Sequence, residues 1–398
     1  MPAPDKSVLI VTLPPVLGGI TNQSRLAADL LAKHGYTPTL AWRAYYSEAP
    51  ELSVPSWQLG RRQPSIREVA GWPYRRIAVG TWLPEFEWSH HRDWRPWSSL
   101  FDQFSHHVAV SGNNLSGYGL AERGVRSLQW IASPYKAERV DRYRTLGYPR
   151  RLFDALFNEP VTRRQEQFIL EQADTVTISN YTLYSLRDVT PRNRAHGVVP
   201  IPVDCRRFSP AGRVTPAGRR LRIGINGRLS DPRKNVGLLI DAFRMVARAR
   251  PDVDLVIRSD ITREQLGEQT GAADVMDRID IAPAVSFETL QDFYRSLDVF
   301  AISSWQEGLC VTGTEAMACG ATVVSTRCGG PEDFVWDRQT GRLAGLAAAD
   351  FAGRLLEGLE DAAGPRRLAT AGIDLIRQRF DQATFEREFM ASFARTFG

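Results

Sequence analysis

The sequence predicts an α/β protein made of two successive doubly wound domains. Three observations point to this. The chain has 398 residues, beyond the roughly 250–300 at which a single hydrophobic core stops growing. Short apolar runs alternate with amphipathic helical segments twice, once over residues 7–200 and again over 221–380, which is the pattern of parallel sheets covered by helices. Between the two series, "PVDCRRFSPAGRVTPAGRR" (202–220) holds three prolines, two glycines and several arginines with no apolar periodicity. It reads as an interdomain linker. The expected division is an N-terminal domain over 1–203, a linker over 204–220 and a C-terminal domain over 221–380, with the tail 381–398 packing back on the first domain.

The first series opens with "SVLIVT" (7–12), a continuous apolar run of the kind found in buried parallel strands. A "PPVLGG" loop follows. Residues 22–35 then place Leu26, Ala27, Leu30 and Leu31 at helical spacing and end on Gly35, as a helix C-terminus does. "TPTLAW" (37–42) is the next strand. Residues 43–104 are less regular and carry Trp57, Trp72, Trp82, Trp88, Trp94 and Trp97. Alternation resumes with strand 107–112, helix 115–124, strand 127–132, helix 162–172, strand 175–179, helix 181–187 and strand 196–200.

The second series begins with strand "LRIGIN" (221–226). Helix 236–251 follows, with Leu239, Ile240, Phe243 and Val246 on one side. Next come strand 253–259, helix 288–296, strand 299–304, a helix near 312–319 and strand 321–326. Helices over 350–360 and 364–379 lead to a polar-aromatic tail.

Composition excludes several classes. The chain is 43% hydrophobic and 24% charged, as soluble globular proteins are. No apolar stretch reaches the ~18 residues a spanning helix needs. The N-terminal apolar run is broken by prolines and lacks a basic leader, so it reads as a first strand and not as a signal peptide. Cys205, Cys310, Cys319 and Cys328 show neither CxxC nor zinc spacing, and read as reduced thiols of a cytoplasmic protein. A net charge of +5 suits anionic ligands such as nucleotides, or peripheral contact with the anionic inner face of a membrane. No helix-turn-helix, RNP motif or zinc finger is present, which argues against nucleic acid as a partner.

Two stretches carry chemistry. In "SSWQEGLCVTGTEAMACG" (303–320), Glu307 follows the end of a strand and Glu315 lies in the first turn of the next helix. In open α/β sheets the C-terminal edge of the strands is where ligands bind. The backbone N–H groups of Gly308, Leu309, Cys310 and Val311 between them can hold an anion. In "GRLSDPRKN" (227–235), Gly227 permits close backbone approach, and Arg228, Arg233 and Lys234 present cations beside another strand end. Such a clamp suits a diphosphate that gains charge as a bond to it breaks.

These stretches resemble the retaining, nucleotide-sugar-dependent glycosyltransferases of family four, which have the GT-B fold: two facing Rossmann-like domains with a cleft between them. The family's glutamate–seven–glutamate pattern is Glu307 to Glu315 followed by "AMACG", and its Gly-Arg…Lys pattern is "GRLSDPRKN". "PVDCRRFSP" (202–210) is similar to its interdomain segment, and "PPVLGG" to its N-terminal glycine loop. The resemblance covers most of the chain. It is most specific over 221–345 and loose over 43–140.

The resemblance implies a sugar moved from a nucleoside-diphosphate sugar to a hydroxyl acceptor, with no metal or other cofactor. The acceptor would be a saccharide, a lipid-linked glycan or a small metabolite. Glu315 would hold the donor ribose and Glu307 the transferred sugar. Arg228 and Lys234 would hold the diphosphate, with the Gly18–Gly19 loop approaching it. The family usually has five steps from the Arg to the Lys. Here Arg228 to Lys234 is six and Arg228 to Arg233 five, which leaves both in play. Where the family often has a histidine after the strand ending "LQWIA", this chain has Ser133, with Tyr135 nearby.

Rival readings are a sugar-nucleotide epimerase of the same fold and a donor-binding protein without turnover. The Trp-rich region could stack acceptor sugars or be packing. His90-His91 and His106-His107 are each adjacent in sequence, so on a strand they point to opposite faces and do not share a metal. The stretch 139–164 mixes Arg with Leu and Phe, and reads either as a membrane-surface patch or as a solvated helix face.

Overall fold

The computed structural model describes residues 6–14, 19–137, 147–213, 218–364 and 366–398. The chain divides into two compact units, 1–199 with 386–398, and 200–385.

The strands of the first unit are β1 (Ser7–Thr12), β2 (Thr37–Arg43), β3 (Ile66–Glu68), β4 (Arg75–Val79), β5 (His106–Ser111), β6 (Leu128–Ile131), β7 (Asp174–Thr177) and β8 (Ala195–Val198). They form one sheet in the order β3-β4-β2-β1-β5-β6-β7-β8. Among the described strands all pairings are parallel except β3 with β4. β1 is central, and Val8, Leu9, Ile10 and Val11 are fully buried, which is why it reads as a continuous apolar run rather than an alternating one. Helix Gly19–Lys33 buries Ala27, Ala28, Leu30 and Leu31. It ends where Gly35 takes φ +82° and donates its N–H to the Ala32 carbonyl at 3.0 Å.

Several expectations for this unit are revised. The irregular stretch 43–104 contains β3, β4 and the short helix Trp97–Phe101. Trp97 and Phe101 pack against Leu9, Val11, Ile77 and Val79, so Trp97 is core and not an acceptor platform. The helix expected over 115–124 is a 3-10 turn, Asn114–Gly117, followed by a short α-helix, Tyr118–Glu122. The helix expected from 162 begins at Glu159 and is preceded by helical turns from Tyr148. The polar-aromatic tail is a helix, Gln382–Phe397. Phe389, Phe393 and Phe397 recur at four-residue spacing and meet Trp130, Tyr36 and His106.

The second unit holds β9 (Leu221–Gly227), β10 (Val253–Ser259), β11 (Ile279–Pro283), β12 (Val299–Ile302), β13 (Thr322–Thr326) and β14 (Gly341–Ala344). Their order is β11-β10-β9-β12-β13-β14, all parallel. That is the Rossmann order, and it reverses direction between β9 and β12. Helix Val236–Ala249 buries Leu239, Ile240, Phe243 and Val246 on the sheet, as its spacing predicts. β11 and β14 escape the sequence reading because both are short and at sheet edges, and β11 is half exposed.

The arginine-rich segment 204–220 falls within the second unit. Asp298 is 1% exposed and takes Arg219 at 2.6 Å and Arg213 at 3.5 Å. Arg207 lies over the Phe287 ring at 3.7 Å. These arginines anchor the segment to the domain that follows.

Candidate functional site

The site is built where the second sheet reverses. β9 exits through Gly227 at φ +146°, a conformation open in practice only to glycine. The loop then doubles back through a 3-10 turn, Pro232–Lys234, capped by Asp231, whose carboxylate accepts from the Arg233 N–H at 3.1 Å. Asp231 also pairs with the Arg233 guanidinium at 2.7 Å. Arg233 is thereby turned back on its own loop, and Lys234 is the residue that reaches across.

The Lys234 ammonium donates to Glu307 Oε1 at 2.7 Å, and Ser304 Oγ donates to the same oxygen at 2.6 Å. The pair is shielded, with side-chain exposures of 21% for Lys234 and 13% for Glu307. Burial would lower the Lys234 pKa, but the Glu307 charge and hydrogen bond outweigh it and hold the ammonium charged well into the alkaline range. Two more bonds join the loops after β9 and β12. Ser303 Oγ donates to the Lys234 carbonyl at 2.7 Å, and the Trp305 N–H donates to the Arg233 carbonyl at 2.7 Å.

Glu307 is held from the other side as well. Its N–H donates to the Cys328 carbonyl at 2.8 Å, and its carbonyl accepts from the Gly330 N–H at 2.9 Å. Gly330 is small by necessity, because a Cβ there would lie 2.2 Å from the Gly308 carbonyl oxygen. The chain then passes through Cys310 at φ +70°, a left-handed conformation that costs a non-glycine residue about 1 kcal/mol, and enters helix Val311–Ala318. Among the described residues, the N–H groups of Gly308, Leu309, Cys310, Val311 and Thr312 have no acceptor.

Glu315 was expected in the first turn of this helix. The helix starts at Val311, so Glu315 stands in the second turn. Its Oε2 accepts from the buried Tyr294 hydroxyl at 2.9 Å, and that hydroxyl accepts from Asn226 Nδ2 at 3.3 Å. Burial pushes the Glu315 carboxyl up to about 7, against the lowering influence of the Tyr294 bond. Arg228 is exposed, and its side chain has no hydrogen-bond or ion-pair partner among the described residues.

The second unit thus brings together Glu307, Lys234, the amides of 308–311 and Glu315. The remaining candidates lie on the first unit. Gly18 lies outside the described residues. Gly19 opens helix Gly19–Lys33 and is exposed, with open space where a Cβ would be. Ser133 is buried after β6, with its N–H on the Gly112 carbonyl at 2.7 Å and its hydroxyl 3.5 Å from the same oxygen. Tyr135 is buried, with its hydroxyl on Glu87 at 3.2 Å. His91 is half-buried, and burial together with the Arg43 charge pushes its pKa down to about 3. Among the described residues no group of three His, Cys, Asp or Glu is placed to hold a metal.

The sequence reading missed Ser304, Asn226, Tyr294 and Gly330. Only Gly330 left a signal, as the Gly329-Gly330 pair after the apolar run of β13.

Residues 220–361 match the family described as glycosyl transferases group 1. A D-inositol 3-phosphate glycosyltransferase from Arthrobacter sp. is 32% identical over 223 residues, 51% of this chain and 52% of that protein. A GDP-mannose-dependent monoacylated alpha-(1-6)-phosphatidylinositol monomannoside mannosyltransferase from Corynebacterium glutamicum is 28% identical over 197 residues, 44% and 50% of the two chains. The chain spans about half the length of the curated relatives it matches. Among solved structures, sucrose-phosphate synthase from Thermosynechococcus elongatus aligns with TM-score 0.73 at 19% identity, covering 98% of this chain and 99% of that one. Anabaena HepE in complex with UDP-glucose aligns with TM-score 0.68 at 14% identity, covering 98% and 99%. The chain therefore has the GT-B fold, resembles glycosyltransferase family four, and matches the glycosyl transferases group 1 family over most of its second unit.

Proposed function

We propose that this protein transfers a sugar from a nucleoside-diphosphate sugar to a hydroxyl acceptor, with retention of configuration and without a metal. The observation that carries this reading is the cluster at the sheet reversal. A shielded Lys234–Glu307–Ser304 group stands beside unpaired amides at 308–312, with Glu315 on the helix that follows. Lys234, the exposed Arg228 and the amides offset the charge that a diphosphate gains as its bond to the sugar breaks. Glu307 has one oxygen fixed by Lys234 and Ser304, and its other oxygen accepts from a hydroxyl of the transferred sugar. Glu315 accepts from the ribose hydroxyls. The bond between the sugar's anomeric carbon and the diphosphate oxygen breaks, and its electron pair leaves with the nucleotide. The acceptor hydroxyl attacks the same face and passes its proton to the departing phosphate oxygen. HepE, the structural relative solved with UDP-glucose, supports a donor of this class. Gly19 near the diphosphate and Ser133 near the sugar are part of the proposal.

Peripheral contact with an anionic membrane is also proposed. Tyr148, Leu152, Leu156 and Phe157 are exposed on one helical run beside Arg150 and Arg151. No helix among the described residues is long and apolar enough to cross a membrane.

A panel of nucleotide sugars, incubated with and without candidate acceptors, tests the reading by release of nucleoside diphosphate. Release that requires an acceptor and survives a chelator supports it. Isomerised donor without acceptor would indicate an epimerase. Binding without release would indicate a donor-binding protein, a reading favoured only by the Ser133 hydroxyl standing where a histidine is usual. Glu307→Ala and Arg228→Ala are each expected to lower kcat/KM about 100-fold or more. If both stay as active as the wild type, the proposal fails.

A further inference from the structure

The first unit carries a polar cavity at the edge where β6, β7 and β8 begin. This is the edge opposite the one that bears Ser133. The cavity has a volume of about 460 Å3 and is lined by Arg126, Ser127, Asp174, Arg194, Arg395 and Thr396 among others. An adjoining cavity of about 300 Å3 shares Asp174, Arg194 and Arg395 and adds His196. The larger volume falls within the range of roughly 300–1,000 Å3 typical of small-molecule sites.

The charges do not balance. Asp174 is the carboxylate of the lining, and Arg194 takes it at 2.8 Å. Arg126 and Arg395 have no hydrogen-bond or ion-pair partner among the described residues. Arg395 lies in the last turn of helix Gln382–Phe397, where a cation is favourable for the helix itself. Arg126, in the loop before β6, has no such role. Two unpaired guanidinium groups on one concave wall give it a positive potential that attracts an anion.

We propose that this cavity is a binding site for a phosphate group carried by a small molecule, separate from the nucleotide-sugar site. A carboxylate would offset only one of the two unpaired arginines. A phosphate monoester carries about −1.5 to −2 at neutral pH and offsets both. Its oxygens accept the paired N–H groups of Arg126 and Arg395.

Inorganic phosphate is the probe, titrated calorimetrically into the full-length protein at constant ionic strength. The Arg228→Ala background weakens phosphate binding at the nucleotide-sugar site. In that background phosphate still binds. Adding Arg126→Gln and Arg395→Gln lowers the affinity about tenfold or more. Without phosphate the melting temperature falls by no more than the small loss of the Arg395 charge at its helix end, since both arginines are exposed. The proposal is overturned if no phosphate binds in the Arg228→Ala background, if the double substitution leaves the affinity unchanged, or if chloride at equal ionic strength competes as well as phosphate. Failure of the donor reading would leave these outcomes untouched.

Discussion

Glu315→Gln should make the resting protein more stable at neutral pH while weakening its ligand binding. Burial raises the Glu315 carboxyl from 4.5 to about 7. The folded protein therefore keeps a proton that the unfolded chain releases, so unfolding releases a proton between these two values. The stability this group provides is complete below about pH 4.5, declines as the pH rises through about 7, and is lost above that. At about 1.4 kcal/mol per pH unit, the carboxylate costs the folded state about 3 kcal/mol at pH 8. Its partial solvent contact makes that an upper bound. Glutamine mimics the protonated acid, and its amide oxygen still accepts from the Tyr294 hydroxyl. The variant should gain up to about 3 kcal/mol at pH 8, with the gain shrinking towards zero near pH 4.5. Because two units can unfold separately, the readout is hydrogen exchange of β9, β10 and β12 across this pH range. The same variant should bind nucleotide about tenfold more weakly, since a neutral amide is a poorer acceptor for two hydroxyls. No gain at pH 8, or a gain that persists undiminished at pH 5, would refute the assignment of a buried, raised carboxyl.

Two further substitutions separate the supports of the site. Gly330→Ala would place a methyl 2.2 Å from the Gly308 carbonyl oxygen. The loop holding Glu307 and Cys310 must shift, with an expected cost of about 1–3 kcal/mol in stability and a loss of donor affinity. Wild-type nucleotide affinity in that variant would show that the loop position does not matter. Tyr294→Phe leaves Glu315 Oε2 and Asn226 Nδ2 without their shared partner. Donor KM should rise about tenfold with kcat little changed, and stability should fall by about 1–2 kcal/mol. An unchanged KM would make Tyr294 a packing residue only.

The elements that are legible in the chain are those whose burial is set by their own local pattern. β1 is an apolar run buried along its whole length, β9 is buried over Ile223–Ile225, and helix Val236–Ala249 has a single apolar stripe. The Phe389–Phe393–Phe397 spacing is equally periodic but sits among charged residues, so it reads as a tail until the strands it covers are in place. Arginines in 204–220 look like those of a solvated linker because their partner, Asp298, lies far along the chain.

The sequence by itself determined the two α/β series, the strand-end positions of Glu307 and Lys234, and the spacing of Glu307 and Glu315, since each depends on neighbours a few residues away. Only the tertiary structure decided that Lys234 and not Arg233 meets Glu307, 73 residues on. It also decided that Tyr294 and Asn226 support Glu315, and that the Ser133 hydroxyl points at the Gly112 carbonyl. The physical reason is the crossover in the parallel sheet. β10 and β11 follow β9 in the chain but lie on its far side, which leaves β12 as its other neighbour and brings two distant loops to one edge. Periodicity marks which face of a strand is buried, but which strand lies beside it is settled by the packing of the whole domain.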